Sequence, residues 1–163
     1  MPDTEVRYHM LRPRQIVGRR TECPAAYIPI GTIEWHGPQN PLGGDALIST
    51  ALFERAAQRF GGIVFPPLFL GPDRAKGFGP DMLNGMDYLY SRPGYTPEQL
   101  AGSCYWSPTG LFLMMVEQVI ANAKRIGFRA LVADGHGPSR GAFNAYAESW
   151  EERFDIVLIG AKH

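Results

Sequence analysis

The feature that most constrains the fold is a regular alternation of short apolar segments with segments of helical hydrophobic spacing. Strand-like segments rich in aliphatic residues occur four times, at 25–30, 61–71, 130–133 and 154–160. Segments with apolar residues at helical spacing lie between or before them, at 46–60, 109–128 and 139–154. Strands that alternate with helices predict an α/β fold, in which a mainly parallel sheet carries helices on both of its faces.

The length of the chain predicts a single domain over residues 1–163. The polar residues 1–22 are expected to form an arm or a first helix. Residues 71–108 are rich in glycine and proline and show no periodic pattern. A stretch of that length inside a compact domain usually has a purpose, so we interpret it as a substrate loop or an oligomer contact.

Charge and cysteine content exclude several classes of protein. The formal net charge is zero, which argues against nucleic acid or an anionic membrane as the main partner. Cys23 and Cys104 form no CxxC pair, so neither a zinc finger nor a redox motif is indicated. The apolar runs are too short to span a membrane, and the first ten residues lack the apolar core of a signal peptide. A cytoplasmic location is therefore the expectation.

Residues able to perform chemistry follow two of the predicted strands. Open parallel sheets bind their ligands beyond the carboxyl ends of the strands. The loop after the first strand contains Glu34, His36 and Asp45, and the turn after the third contains Asp134 and His136. We therefore expect these side chains to meet at one edge of the sheet.

Imidazole and carboxylate groups together suit a divalent metal such as zinc or manganese. In extended backbone Glu34 and His36 would point to the same side, because side chains alternate with a period of two. Each residue also has an ordinary structural interpretation. Asp45 could be the N-cap of the following helix, and His136 and Asp134 could simply form a turn. The residue pattern alone leaves both interpretations open.

The segment IPIGTIEWHGPQNPLGGDALISTAL resembles the creatininase family. The shared positions, in order and spacing, are Pro29, Gly31, Glu34, His36, Gly37, Pro38, Pro41, Leu42, Asp45 and Ile48. A second similarity is a long helix that ends in Gly127 and Phe128, followed by a strand and a Gly-His-Gly turn around His136. The resemblance implies a three-layer α/β/α sandwich around a mainly parallel sheet. It also implies a metal-dependent hydrolase of small amides, commonly oligomeric.

The resemblance further implies a ligand set. Glu34, Asp45 and His136 would hold one zinc or manganese ion, and His36 with Asp45 would hold a second, so that Asp45 bridges the two. Independently of the resemblance, Asp134 precedes the turn and could orient His136 from behind, as an alternative to simply forming the turn. Activated water would then attack the C–N bond of a cyclic amide, a formamide or a peptide. The sequence identifies no proton shuttle, and a nucleotide-binding fold is disfavoured because no P-loop or GxGxxG motif is present.

The sequence also departs from the family's pattern. Creatininase itself carries a glutamate two residues after the histidine of the turn, where this chain has Pro138, and Ser139 replaces a common asparagine. The chain is also expected to be shortened at its C-terminus, before a segment that supplies a further carboxylate in other members. The alternative hypothesis is therefore a non-catalytic relative that keeps one metal and acts in binding or assembly.

Overall fold

A computed structural model describes residues 5–76, 83–86, 102 and 104–161. Its elements follow in chain order as a short 3-10 helix Tyr8–Met10, α1 Pro13–Glu22, β1 Ala25–Ile30, α2 Gly44–Phe60, β2 Ile63–Val64, β3 Ala75–Lys76, β4 Leu83–Asn84, α3 Thr109–Arg125, β5 Ala130–Gly135, α4 Gly137–Phe154 and β6 Val157–Gly160. Most of the stretch 71–108, with its predicted substrate loop, lies outside the described residues. Among the described helices, none is both long and apolar enough to cross a bilayer.

The predicted parallel sheet is confirmed. Four strands pair in the order β2-β1-β5-β6, and all three pairings are parallel. The register of the central pair runs from Ala25 opposite Ala130 to Ile30 opposite Gly135. Strands β3 and β4 form a separate antiparallel pair. Because β1 and β5 are the two inner strands, the residues that follow them leave the sheet side by side.

Helices cover both faces of the sheet, as the three-layer prediction requires. On β1, the alternate residues Ala26, Ile28 and Ile30 are buried in the larger core cluster. That cluster also contains a stripe of α3 and two aromatic residues of α4, namely Phe112, Val116, Ile120, Ala123, Phe143 and Trp150. Tyr27 points to the other face, where it packs with Phe53 and Ala57 of α2. The period-two alternation of β1 therefore separates the two helical layers.

Several boundaries differ from the sequence expectation. The strands expected at 61–71 and 154–160 are shorter, Ile63–Val64 and Val157–Gly160, and the helix expected at 109–128 ends at Arg125. Three further differences bear on the site. Helix α2 begins at Gly44, with Gly43 in the N-cap position, so Asp45 lies in the first turn and is not the N-cap. Strand β5 continues to Gly135, which places Asp134 inside the strand instead of a turn. Helix α4 begins at Gly137, two residues earlier than its apolar spacing suggested. At each of these boundaries the residues are glycine or polar, so the spacing of apolar residues does not indicate where the element begins or ends.

We expect Phe112→Ala to lower the free energy of unfolding by about 3–5 kcal/mol, because the substitution empties a fully buried site between α3 and the sheet. Urea denaturation followed by circular dichroism would measure the change. Met114→Ala on the same helix is the matched control, since that side chain is 72 % exposed. The control should change stability by less than about 0.5 kcal/mol. Equal losses in the two variants would contradict the described core.

Candidate metal centre

The centre begins at the carboxyl ends of β1 and β5. Gly135 has a φ of +147°, and a Cβ at this position would overlap the carbonyl oxygen of Ile30. The absence of a side chain lets the two backbones close on each other, and the His136 amide donates a hydrogen bond to the Ile30 carbonyl at 2.8 Å. His136 is therefore fixed directly beside the end of β1.

The loop after β1 brings Glu34 and His36 to the same place. Backbone hydrogen bonds hold it extended: Ile33 donates to the Tyr105 carbonyl at 3.3 Å, and Glu34 donates to the Leu42 carbonyl at 3.1 Å. The two side chains point to one side, as the period-two argument predicted, and His36 Nε2 lies 3.3 Å from Glu34 Oε1.

All four predicted ligand residues meet in one cluster. His136 Nε2 lies 3.2 Å from Glu34 Oε1, and His36 Nε2 lies 3.8 Å from Asp45 Oδ2. Ligand atoms of Glu34, Asp45 and His136 all lie within 4.8 Å of one another, so a small closure of these side chains would bring all three into contact with a single cation. Glu34 and His136 are each only 5 % exposed, whereas His36 and Asp45 are 23 % and 29 % exposed. The cluster therefore has a buried end and an open end.

Hydrogen bonds to the second ring nitrogens select the tautomers of both histidines. His36 Nδ1 lies 3.2 Å from the Glu34 carbonyl oxygen, which can only accept, so Nδ1 carries the proton. Ser139 donates its hydroxyl hydrogen to the Gly31 carbonyl at 2.7 Å, and His136 Nδ1 lies 3.5 Å from the same hydroxyl oxygen. Since that hydrogen is already used, the hydroxyl accepts from Nδ1. Both Nε2 atoms therefore face the carboxylates, and each carries a lone pair when its ring is neutral.

This arrangement of donor atoms fits a divalent cation. Two Nε2 atoms face the same carboxylate oxygen, Glu34 Oε1, and neutral rings would repel that oxygen unless a proton or a cation lies between them. Burial raises the pKa of the Glu34 carboxyl, but its hydrogen bond and charge interaction with His136 outweigh burial and lower that pKa below its usual value. The site thus favours an ionised Glu34 and a positive partner.

Asp73 is a fifth member of the cluster that the sequence analysis missed. Its side chain is 2 % exposed, and Oδ1 lies 3.9 Å from His136 Nε2. Burial and the nearby charge of Glu34 raise the pKa of this carboxyl to about 6. Leu68 forms an isolated parallel β-bridge with Ile30 at the end of β1. The segment that leads to Asp73 therefore leaves the sheet at the same edge as the other loops. The rule that ligands bind beyond the carboxyl ends of parallel strands could have selected Asp73, because the residue follows β2. Residues 71–108 show no periodic pattern, however, so the sequence does not mark where that strand ends.

A cavity of about 230 Å³ opens onto the cluster. Its wall includes the carboxylates of Glu34, Asp45 and Asp73, together with Gly85 and Met86. The Met86 amide donates to Glu34 Oε2 at 3.1 Å, which holds the second oxygen of that carboxylate. A Cβ at Gly85, where φ is +48°, would collide with the carboxylates of both Glu34 and Asp73. The segment 83–86 therefore closes the buried end of the cluster.

Asp134, predicted to support His136 from behind, makes a different contact in the structure. Its carboxylate accepts a hydrogen bond from Arg140 Nη1 at 3.3 Å, and the same guanidinium donates to the Gly135 carbonyl at 3.1 Å. The contact between Asp134 and Arg140 joins the end of β5 to the first turns of α4. His136 lies between these two residues in the chain. A role of Asp134 in orienting the ring remains a prediction.

Comparison with known proteins identifies the family to which this chain belongs. The family model for creatininase, described as creatinine amidohydrolase, matches residues 9–161, and the chain belongs to the creatininase family. A curated relative, the 3-dehydro-scyllo-inosose hydrolase of Thermotoga maritima, is 29 % identical over 135 residues, which are 82 % of this chain and 37 % of the relative. The family is therefore one of amidohydrolase type, and this chain spans well under half of that relative.

Solved creatininase structures share the fold. The crystal structure of creatinine amidohydrolase superposes with a TM-score of 0.70 at 21 % identity and covers 97 % of this chain and 58 % of its own. A mutant creatininase complexed with creatine gives a TM-score of 0.70 at 22 % identity, with 96 % and 58 % covered. A manganese form of creatininase gives 0.64 at 22 % identity, again with 96 % and 58 % covered. The chain thus corresponds to somewhat more than half of a creatininase chain.

We expect Ser139→Ala to weaken the binding of zinc or manganese by about 10–100-fold, because the hydroxyl that fixes the Nδ1 tautomer of His136 is removed. Competition against a coloured chelator would measure the affinity. Ser149→Ala is the matched control, since Ser149 lies exposed on the same helix and contacts only the Tyr146 carbonyl there. Unchanged affinity in a folded Ser139→Ala protein would contradict the tautomer assignment.

Proposed function

We propose that this chain carries the metal centre of a hydrolase that cleaves an amide C–N bond with metal-activated water. The convergence of Glu34, His36, Asp45 and His136, with both Nε2 atoms within 3.3 Å of one carboxylate oxygen, is the observation that carries the proposal. Membership of the creatininase family supports the reaction type.

The residues fit the two-ion arrangement predicted from the sequence. Glu34, Asp45 and His136 would hold one ion at the buried end, and His36 with Asp45 would hold a second at the open end. Asp45 extends from the first turn of α2, and its two oxygens allow it to serve both ions. Zinc and manganese both suit these ligands, and a divalent cation here would acidify a bound water and polarise the substrate carbonyl.

The exposure of the ligands defines the side from which a substrate would approach. Glu34 and His136 are closed off by the backbone of Gly85 and Met86, whereas His36 and Asp45 are more accessible to solvent. A small amide would therefore enter beside His36 and Asp45, with its carbonyl toward the carboxylate cluster. The cavity of about 230 Å³ suits a small molecule better than a folded protein.

A second candidate substrate class comes from the curated relative. That protein is named a hydrolase of 3-dehydro-scyllo-inosose, and its 29 % identity exceeds the 21–22 % of the creatininase structures quoted above. Hydrolysis of the compound in the relative's name is therefore a candidate beside cyclic amides and formamides. A non-catalytic role in binding or assembly is the remaining alternative, and it predicts metal binding without turnover of either class.

We also propose that the chain forms a homo-oligomer. Helix α2 leaves Leu47, Ile48 and Leu52 exposed, with Ile48 71 % exposed, and adjacent apolar side chains of this kind are common at protein interfaces. Light scattering of the purified chain would test the proposal, and a monomer at micromolar concentration would contradict it.

The metal centre can be tested by elemental mass spectrometry of protein purified without chelator. We expect close to two zinc or manganese ions per chain in the wild type, and their loss in the Glu34→Ala/Asp45→Ala double variant, because both ions lose carboxylate ligands. Glu148→Ala/Glu152→Ala is the matched control, since both glutamates lie exposed on α4. It should keep the wild-type content.

Turnover is tested with the same proteins on cyclic amides, formamides and 3-dehydro-scyllo-inosose. Hydrolysis should disappear on chelation and return with added metal, and it should be absent from the Glu34→Ala/Asp45→Ala protein. A wild-type chain that binds no metal even after reconstitution would overturn the proposal. Stable metal binding with no turnover of any of these compounds would favour the non-catalytic alternative.

A further inference from the structure

Asp73 occupies an unusual position for a carboxylate. It follows β2 and reaches the cluster from a loop that contains none of the predicted ligands, and its side chain is almost completely buried. The amide of the neighbouring Arg74 donates a hydrogen bond to Asp73 Oδ1 at 2.7 Å. The rest of the carboxylate faces Glu34 and His136.

Imidazoles are the basic groups in contact with the buried carboxylates among the described residues, and the neighbouring Arg74 also lines the cavity. Within the part of the chain that the structure describes, no lysine or arginine side-chain nitrogen lies within 4.0 Å of the Glu34 or Asp73 carboxylates. Both carboxylates close on Gly85, whose missing Cβ makes room for them. Two adjacent buried carboxylates are costly, and a cation bound between them would offset that cost.

The distances from His136 allow each carboxylate to share an ion with that imidazole. Oxygen and nitrogen ligands bind zinc at about 2.0–2.2 Å, so two ligand atoms of one ion lie no more than about 4.2 Å apart. His136 Nε2 is 3.2 Å from Glu34 Oε1 and 3.9 Å from Asp73 Oδ1, which are both within that limit. Pro138 lines the same cavity and offers no ligand atom.

We infer that Asp73 is a further ligand of the ion held by Glu34, Asp45 and His136. The inference rests on the proposed metal centre and adds a residue from a third loop to it. The buried ion would then have three carboxylates and one imidazole as ligands. Such an oxygen-rich set shifts the preference of the site toward manganese, because carboxylates suit Mn²⁺ and imidazoles suit Zn²⁺.

Asp73→Asn tests the inference, because it removes the charge and keeps the shape. Calorimetric titration of the metal-free full chain with Mn²⁺ should show binding weakened about tenfold or more, and weakened less for Zn²⁺. Asp155→Asn is the matched control. That carboxylate is 97 % exposed at the far end of α4, and asparagine tolerates its left-handed backbone. The control should bind both ions within about twofold of the wild type.

Thermal unfolding distinguishes a ligand from a residue that only supports the loop. If Asp73 is a ligand, Asp73→Asn should leave the metal-free protein as stable as the wild type or more stable, because a buried negative charge is removed. The increase in Tm on adding Mn²⁺ should become smaller. A structural role would instead lower the Tm of the metal-free variant.

The outcomes separate this inference from the proposed function. Unchanged Mn²⁺ affinity in folded Asp73→Asn would overturn the role of Asp73 and leave the centre built by the other four residues intact. A destabilised metal-free variant with an undiminished Tm increase would also overturn it. Absence of any metal binding by the wild-type chain would instead overturn the proposed metal centre itself.

Discussion

The parallel pairing of β1 with β5 is the interaction on which the rest of the structure depends. It aligns Ile30 with Gly135, and the His136 amide then continues the hydrogen bonding across the end of the sheet. A shift by one residue would turn His136 to the opposite face and separate it from Glu34, because side chains alternate along a strand. The close approach at Gly135 therefore sets the geometry of the metal centre as well as that of the sheet.

The centre concentrates negative charge at a place where the fold excludes water. Glu34 is held on both sides, through the Met86 amide at one oxygen and the two imidazoles at the other. Groups arranged in this way are already close to the geometry that a cation requires, so little reorganisation is needed on binding. In the metal-free protein the same arrangement is destabilised by repulsion between the carboxylates. Metal binding relieves that repulsion and is therefore coupled to stability.

The sequence predicted the sheet and four members of the cluster because both depend on local signals. Strands β1 and β5 have aliphatic composition, and the Glu34–His36 spacing needs only extended backbone. Asp73 was missed because it lies well beyond the end of β2, in a stretch without the periodic pattern that marks where a strand ends. Asp45 resembled an N-cap because residues 43 and 44 are both glycine, and the helix begins two residues earlier than expected.

The central pairing also bears on how the chain folds during synthesis. Strands β1 and β5 are neighbours in the sheet but are separated in sequence by α2, β2, the 71–108 stretch and α3. Contacts of such high sequence separation form late, since the entropy of closing the intervening chain must first be overcome. During translation β1 emerges long before its main partner, so its aliphatic edge remains open to other chains until β5 has been made.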